Sequence, residues 1–290
     1  MGFLQAIVFG IVQGITGFLP ISSSGHLLIL SHIFKMDIEK GLFWAIMLHF
    51  GTLVPVFIVF WQDIRHLVVS LGGIISDIMK NTKTLIHNKK NFDALRYQKI
   101  LKSNSRKFAV MMITSALTTA VVRQLLQPMA RRSNDSLLAT GIGLFITAVF
   151  LLVANYTRSG HKAPLDINLK VALIIGVGQG FAVLPGISRV GMTIALCLLC
   201  GLTRKFTIKY SFILSIPTII GTGIMTLITT NKGIFSGVEI LYWVVAIVIA
   251  VIVGLGCIKF MLALIQKQHL KYFAGYCLIV GVIAIVCYFQ

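Results

Sequence analysis

The chain has 290 residues, 57% of them hydrophobic and only 12% charged, with a mean hydropathy of +0.92. A water-soluble domain carries about a quarter charged residues, so this composition excludes one and points to an integral membrane protein. The net charge of +18 would suit nucleic acid, but no RNA- or DNA-binding motif accompanies it and no nucleic-acid partner is expected.

From the N-terminus, "MGFLQAIVFGIVQGITGF" has the apolar look of a signal peptide. Its first lysine is Lys35 and it has no small-residue cleavage site, so it is read as mature protein. Residues 10–30, "GIVQGITGFLPISSSGHLLIL", then place a proline, three serines and a histidine inside an apolar run. A first span is predicted at 41–60. Residues 61–107 hold ten of the 26 Lys and Arg and are read as a basic loop. The start of this loop, "HLVVSLGGIISDIMK", spaces Val69, Leu71, Ile74, Ile75, Ile78 and Met79 at helical intervals, as in an amphipathic helix lying in the membrane interface. Spans follow at 108–127 and 136–155. A second polar interruption, "GVGQGFAVLPGISRVGMTIAL", occupies 176–196. Further spans are predicted at 207–229, 237–258 and 272–289. Each of the six approaches the roughly 20 residues needed to cross about 30 Å of hydrocarbon. Cys197, Cys200, Cys257, Cys277 and Cys287 all lie in apolar segments and are read as small buried hydrophobes, "CLLC" included.

The two polar interruptions align without a gap at an offset of 166, with seven identities in 21 positions: Gly10/Gly176, Gln13/Gln179, Gly14/Gly180, Ile21/Ile187, Ser22/Ser188, Gly25/Gly191 and Leu30/Leu196. This suggests a duplication. Each copy has two apolar arms, too short to span, around a Pro/Ser/Gly centre. Proline disrupts helix interiors, and irregular backbone at membrane depth survives only when it is buried in protein or lines a wet cavity. Each copy is therefore read as a re-entrant hairpin, the alternative being a Pro-kinked spanning pair. Three spans between the copies invert the second. The expected fold is all-α: one membrane domain over 1–290, an inverted repeat with halves at about 1–155 and 169–290, each a hairpin plus three transmembrane helices. Such folds place a polar site near the midplane. The loops on one side carry 19 Lys and Arg and those on the other six, Arg123 among them. By the positive-inside rule the richer side is cytoplasmic and both termini lie outside.

Arg189 falls within membrane depth, and the eight acids are read as lying in loops or at helix ends. An unpaired Arg among Ser22, Ser23, Ser24, His26, Ser188 and Thr193 suggests a counter-charge brought by a ligand. Its planar fork suits phosphate, and half-helix N-termini after Pro20 and Pro185 would add N–H donors. The alternative is a structural Arg bonded to backbone carbonyls. His26 could shuttle a proton or activate a serine; His32 and His49 are placed toward segment ends and weighted less. "GVGQG" lacks the preceding strand of a dinucleotide fold, and no His/Cys/Asp/Glu cluster has metal spacing.

"PISSSGH" together with "LPGISRVGMT" resembles the undecaprenyl-pyrophosphate phosphatases, or bacitracin-resistance family. The likeness runs on through "FWAIMLHFGTLVPVFIVFWQDI" and "YSFILSIPTIIG". The resemblance implies an inverted repeat with two re-entrant hairpins in the bacterial inner (cytoplasmic) membrane. It also implies an enzyme that removes one phosphate from undecaprenyl diphosphate, recycling a lipid carrier for cell-wall synthesis. It puts Ser22, Ser23 and His26 at the catalytic centre and Ser188, Arg189 and Thr193 around the diphosphate. Gln13 matches the first position of the family's acidic motif, with Gln179 as its counterpart in the second copy. It further implies Mg²⁺ or Ca²⁺, whose ligands are not identifiable here. Two positions depart from the pattern: the second acidic position, usually Glu, is Gly17, and the serine after the PGxSR arginine is Val190. The competing expectation is a polyprenyl-phosphate or diphosphate binding protein or flippase that does not hydrolyse its lipid.

Overall fold

The structure is a computed structural model. It describes residues 2–36, 38–91, 95–133, 135–162, 166–229, 237–266 and 269–290, without the side chains of 38–42, 91, 227, 229 and 266. Among the orienting charges, Lys232 and Lys267 lie outside the described residues, as does the side chain of Lys40. The described residues form helices and no strand. In order these are α1 (Phe3–Thr16), α2 (Ser23–Ile33), α3 (Ile38–Val59), α4 (Trp61–Asn91), α5 (Asn104–Ser133) and α6 (Leu137–Tyr156). Then follow α7 (Leu169–Gly180) with a short 3₁₀ turn at Phe181–Val183, α8 (Arg189–Leu199), α9 (Arg204–Thr229), α10 (Gly237–Gln266) and α11 (Leu270–Phe289).

Helices α5, α6, α9, α10 and α11 are each long and apolar enough to cross a membrane. The chain is a multi-pass, all-α membrane protein. The span expected at 41–60 reaches that standard only together with α4, from which it is bent by 92°. The stretch 61–107 is also not a loop for most of its length: α4 runs 31 residues through it. The reason is amphipathicity. Ile64, Ser70, Ile74 and Asp77 turn inward, while Trp61, Val68, Val69, Ile75 and Met79 are exposed. Nor is Asp77 at a helix end. It is buried in mid-α4, bonded to Arg106 at 2.6 Å and Lys102 at 3.0 Å, which ties α4 to the start of α5. These two cations hold its carboxyl below the usual carboxylate range.

The two interruptions fold as short helix pairs. α1 and α2 have 14 and 11 residues, α7 and α8 have 12 and 11. At 1.5 Å per residue none exceeds about 21 Å, short of the hydrocarbon thickness. Pro20 and Pro185 sit between the arms, and a serine restarts the chain each time. Ser22 caps α2 by accepting from Gly25 N–H, and Ser188 caps α8 by accepting from Gly191 N–H, at 3.3 and 3.0 Å. A serine cap satisfies one of the four orphan donors of a helix start. Around the pairs, α1 packs on α10, α7 on α5, α6 on α11, and α3 on α9 and α10. Beside the N-terminal end of α6, His32 of α2 pairs with Asp135 at 3.3 Å. Beyond the C-terminal end of α6, Lys162 bridges to Leu202, which follows α8.

The two turns meet against α6. A Cβ on Gly25 would lie 3.2 Å from Gly186 Cα, and one on Gly191 would lie 3.3 Å from Pro20 O. Thr147 of α6 donates to Gly186 O at 3.0 Å and accepts from Ser188 N–H at 2.9 Å. Gly186 itself has φ +81, and a Cβ there would collide with the Thr140 carbonyl oxygen. Only glycine suits both the conformation and the approach.

Candidate active site

Where the two turns meet, a cavity of about 560 Å³ opens among α1, α2, α3, α5, α8 and α9. Its lining includes Gly17, Ser23, His49, Arg123, Gln179, Ser188, Arg189 and Thr218. Ser23 and Arg189 are the first residues of α2 and α8, so the serine caps that restart each arm aim both into one space. Ser22 does this at φ +68, a left-handed conformation that costs a non-glycine residue about 1–3 kcal/mol.

Ser23 Oγ lies 3.1 Å from His49 Nε2, and His49 Nδ1 lies 2.6 Å from the Ala45 carbonyl. The carbonyl only accepts, so Nδ1 carries the proton. In neutral imidazole Nε2 is then the acceptor for the Ser23 hydroxyl. A serine hydrogen-bonded to a histidine whose other nitrogen is oriented by an acceptor is the arrangement that activates a nucleophile. His49 stands in the middle of α3 (Ile38–Val59), not toward a segment end as its sequence position suggested.

His26 is elsewhere. Nδ1 donates to Ser22 O at 2.7 Å, Nε2 meets the Tyr276 hydroxyl at 2.8 Å, and the ring stacks on Tyr276 at 5.5 Å between centroids. It does not line the cavity. Its bonds hold the first turn of α2 onto α11. Ser22 and Thr193 are buried behind the cavity wall, Thr193 donating to Arg189 O at 2.6 Å. Gln179 reaches the cavity and donates to Thr218 Oγ1 at 2.6 Å. Its counterpart Gln13 is fully buried, with no partner for either amide atom among the described residues. Val190 lines the cavity as an apolar side chain.

Arg123 is the second correction. It belongs to α5 and lines the cavity, rather than standing in an outer loop. Among the described residues neither guanidinium has an ion pair or hydrogen bond, and the two like charges act on each other. Both His49 and Arg123 carried a signal in the sequence, as polar groups inside predicted spans. Such residues are functional candidates by default.

A divalent cation fits poorly. Mg²⁺ and Ca²⁺ take hard oxygen ligands, carboxylates above all. Among the described residues no group of three His, Cys, Asp or Glu could hold a metal. Asp135 is the one carboxylate in the described lining, and it is paired with His32. At Gly17, φ −66 and ψ −25 suit any residue, but no carboxylate stands there.

These features define the class: a polytopic, all-α membrane protein with a cationic, hydroxyl-bearing cavity where two polar helix pairs meet. The chain belongs to the family described as Bacitracin resistance protein BacA, which it matches over residues 6–283. It is 36% identical to the undecaprenyl-diphosphatase of Methanosphaera stadtmanae over 286 residues, 99% of this chain and 98% of that one. It is 36% identical to that of Desulforapulum autotrophicum over 294 residues, 100% and 99% of the two chains. To that of Halothermothrix orenii it is 30% identical over 289 residues, 99% and 98%.

Proposed function

We propose that the chain is an undecaprenyl-diphosphate phosphatase, hydrolysing polyprenyl diphosphate to the monophosphate and so recycling a lipid carrier for cell-wall synthesis. Its family and its full-length relatives support the substrate. The observation that carries the chemistry is the Ser23–His49 pair opening onto the same cavity as Arg189. In this reading Arg189 and the free N–H groups at the start of α8 hold phosphate oxygens. Ser23 Oγ attacks the terminal phosphorus while His49 Nε2 takes its proton. The bond from that phosphorus to the bridging oxygen breaks, and prenyl monophosphate leaves. The leaving phosphate takes that proton from His49 Nε2; the neutral His49 then deprotonates a water that attacks the phosphoserine, and phosphate departs as Ser23 Oγ regains the proton from His49. A lipid carrier without hydrolysis requires no activated serine.

The topology belongs to the same proposal. The two halves are inverted, with the first hairpin opening to the outside and the second to the cytoplasm, in the cytoplasmic membrane. This reading is supported by the His32–Asp135 pair at one end of α6 and the Lys162–Leu202 bridge beyond the other.

Purified protein in detergent should release phosphate from undecaprenyl or farnesyl diphosphate, and Arg189→Ala should not. Release no greater than that control rejects the enzyme. Lipid transfer across liposomes without release would establish the carrier instead.

A further inference from the structure

A prenyl diphosphate brings roughly two to three negative charges into the cavity, and something must neutralise them away from bulk water. A divalent cation is the common solution for phosphoryl transfer, but the cavity lacks the carboxylates to hold one. Instead it presents Arg189 from α8 and Arg123 from α5, both without an ion pair or hydrogen bond among the described residues. Two like charges left facing one cavity are costly unless an anion joins them.

We infer that Arg123 and Arg189 together form the diphosphate clamp, one guanidinium for each phosphate, and that the pair takes the place of a divalent cation. The inference rests on the polyprenyl-diphosphate reading above. The location of the second cation is what makes the scheme work. Arg189 is fixed by the cap of α8, whereas Arg123 comes from a helix that packs on α7 and α9. The ligand therefore ties α5 to α8 across the cavity. A monophosphate has one group fewer to offer and depends less on Arg123, so the pair also selects diphosphate over monophosphate.

The probe is geranylgeranyl methylenediphosphonate, whose bridging carbon resists hydrolysis, with geranylgeranyl phosphonate as its one-phosphorus counterpart. Binding to the purified full chain is measured by calorimetry in excess EDTA and again in Mg²⁺ or Ca²⁺. The expected result is diphosphonate affinity in EDTA within about twofold of that with metal. Arg123→Gln should weaken diphosphonate binding about tenfold or more while moving the monophosphonate much less. Arg123→Lys, which keeps the charge and loses the fork, should fall between. Binding that requires the metal, or diphosphonate affinity unmoved by Arg123→Gln, would overturn the clamp. If Arg123→Gln does not fold, the chelator comparison on the native chain decides. No binding of either ligand in any condition, together with no phosphate release, removes the polyprenyl-diphosphate reading itself. Binding with metal only removes the clamp and leaves that reading standing.

Discussion

His49 and His26 have different surroundings in this chain, and single substitutions separate what each does. His49 touches Ser23 and opens on the cavity. His49→Ala should leave a folded protein and lower phosphate release by about 10²–10⁴-fold. His26 bonds Ser22 and stacks on Tyr276, so His26→Ala should lower the melting temperature and the activity together. Measuring both quantities on both variants checks the assignment; a His49→Ala enzyme as fast as the native one would remove His49 from the chemistry. Gly17 offers the converse test. A Cβ there would come 2.8 Å from the backbone oxygen of Gln13 and 3.1 Å from Thr52 Cγ2, so the end of α1 must shift to admit it. The new carboxylate would stand at the cavity beside the buried, unpartnered amide of Gln13. Gly17→Glu should melt lower and become metal-responsive, releasing phosphate about tenfold or more faster in Mg²⁺ than in EDTA. A well-folded variant indifferent to chelator would mean that position 17 does not reach the phosphates.

Among the elements, the turn before α8 is constrained in both conformation and space. Gly186 combines φ +81 with contact to α6. Gly186→Ala should cost about 1–3 kcal/mol through the strained conformation alone, and more through the collision with Thr140. Because the same turn aims Arg189, activity should fall with stability; a variant with native melting temperature would show that the turn relaxes freely. The α4–α5 junction makes a different prediction. The Asp77 carboxyl is held below its ordinary range by Arg106 and Lys102. A depressed carboxyl contributes stability above its unfolded pKa of about 3.9, and that stability fades as pH falls through the lower folded value. Hydrogen exchange in α4 should therefore be slow from neutral pH down to about pH 4 and faster below it. Asp77→Asn should show the faster exchange already at neutral pH. Equal exchange in both proteins would deny the tie.

The molecule is apolar outside as well as inside. Leu117, Val121 and Leu125 of α5 and Ile240, Val244, Val248 and Ile252 of α10 are all exposed, in stripes that a water-soluble protein could not tolerate and that lipid covers. The proposed orientation rests on the loop charges. With native cysteines replaced, Lys83→Cys should react with an impermeant maleimide only from the cytoplasmic side, and Asp135→Cys only from outside. The reverse pattern would turn the protein over, and both residues labelled from one side would break the inverted arrangement.

Membrane class, helical content, both broken segments and the Arg189–Ser23 neighbourhood were legible in the chain. Composition sets the solvent, and proline and serine caps stop and restart helices through local chemistry alone. The histidine partner of Ser23 was not legible. Ser23 meets His49, 26 residues away, because α3 packs beside the hairpin, and no local pattern states which of several membrane histidines that contact selects. His26, three residues from Ser23, instead bonds and stacks on Tyr276 of α11, a contact made by packing between elements 250 residues apart. Arg123 showed in the chain only as a charge inside a predicted span. Arg123 reads as the end of an apolar span until α5 docks on α7 and turns it toward Arg189. Short-range rules determined where the helices break; only packing between elements distant in sequence decided which side chains share the space that the breaks leave.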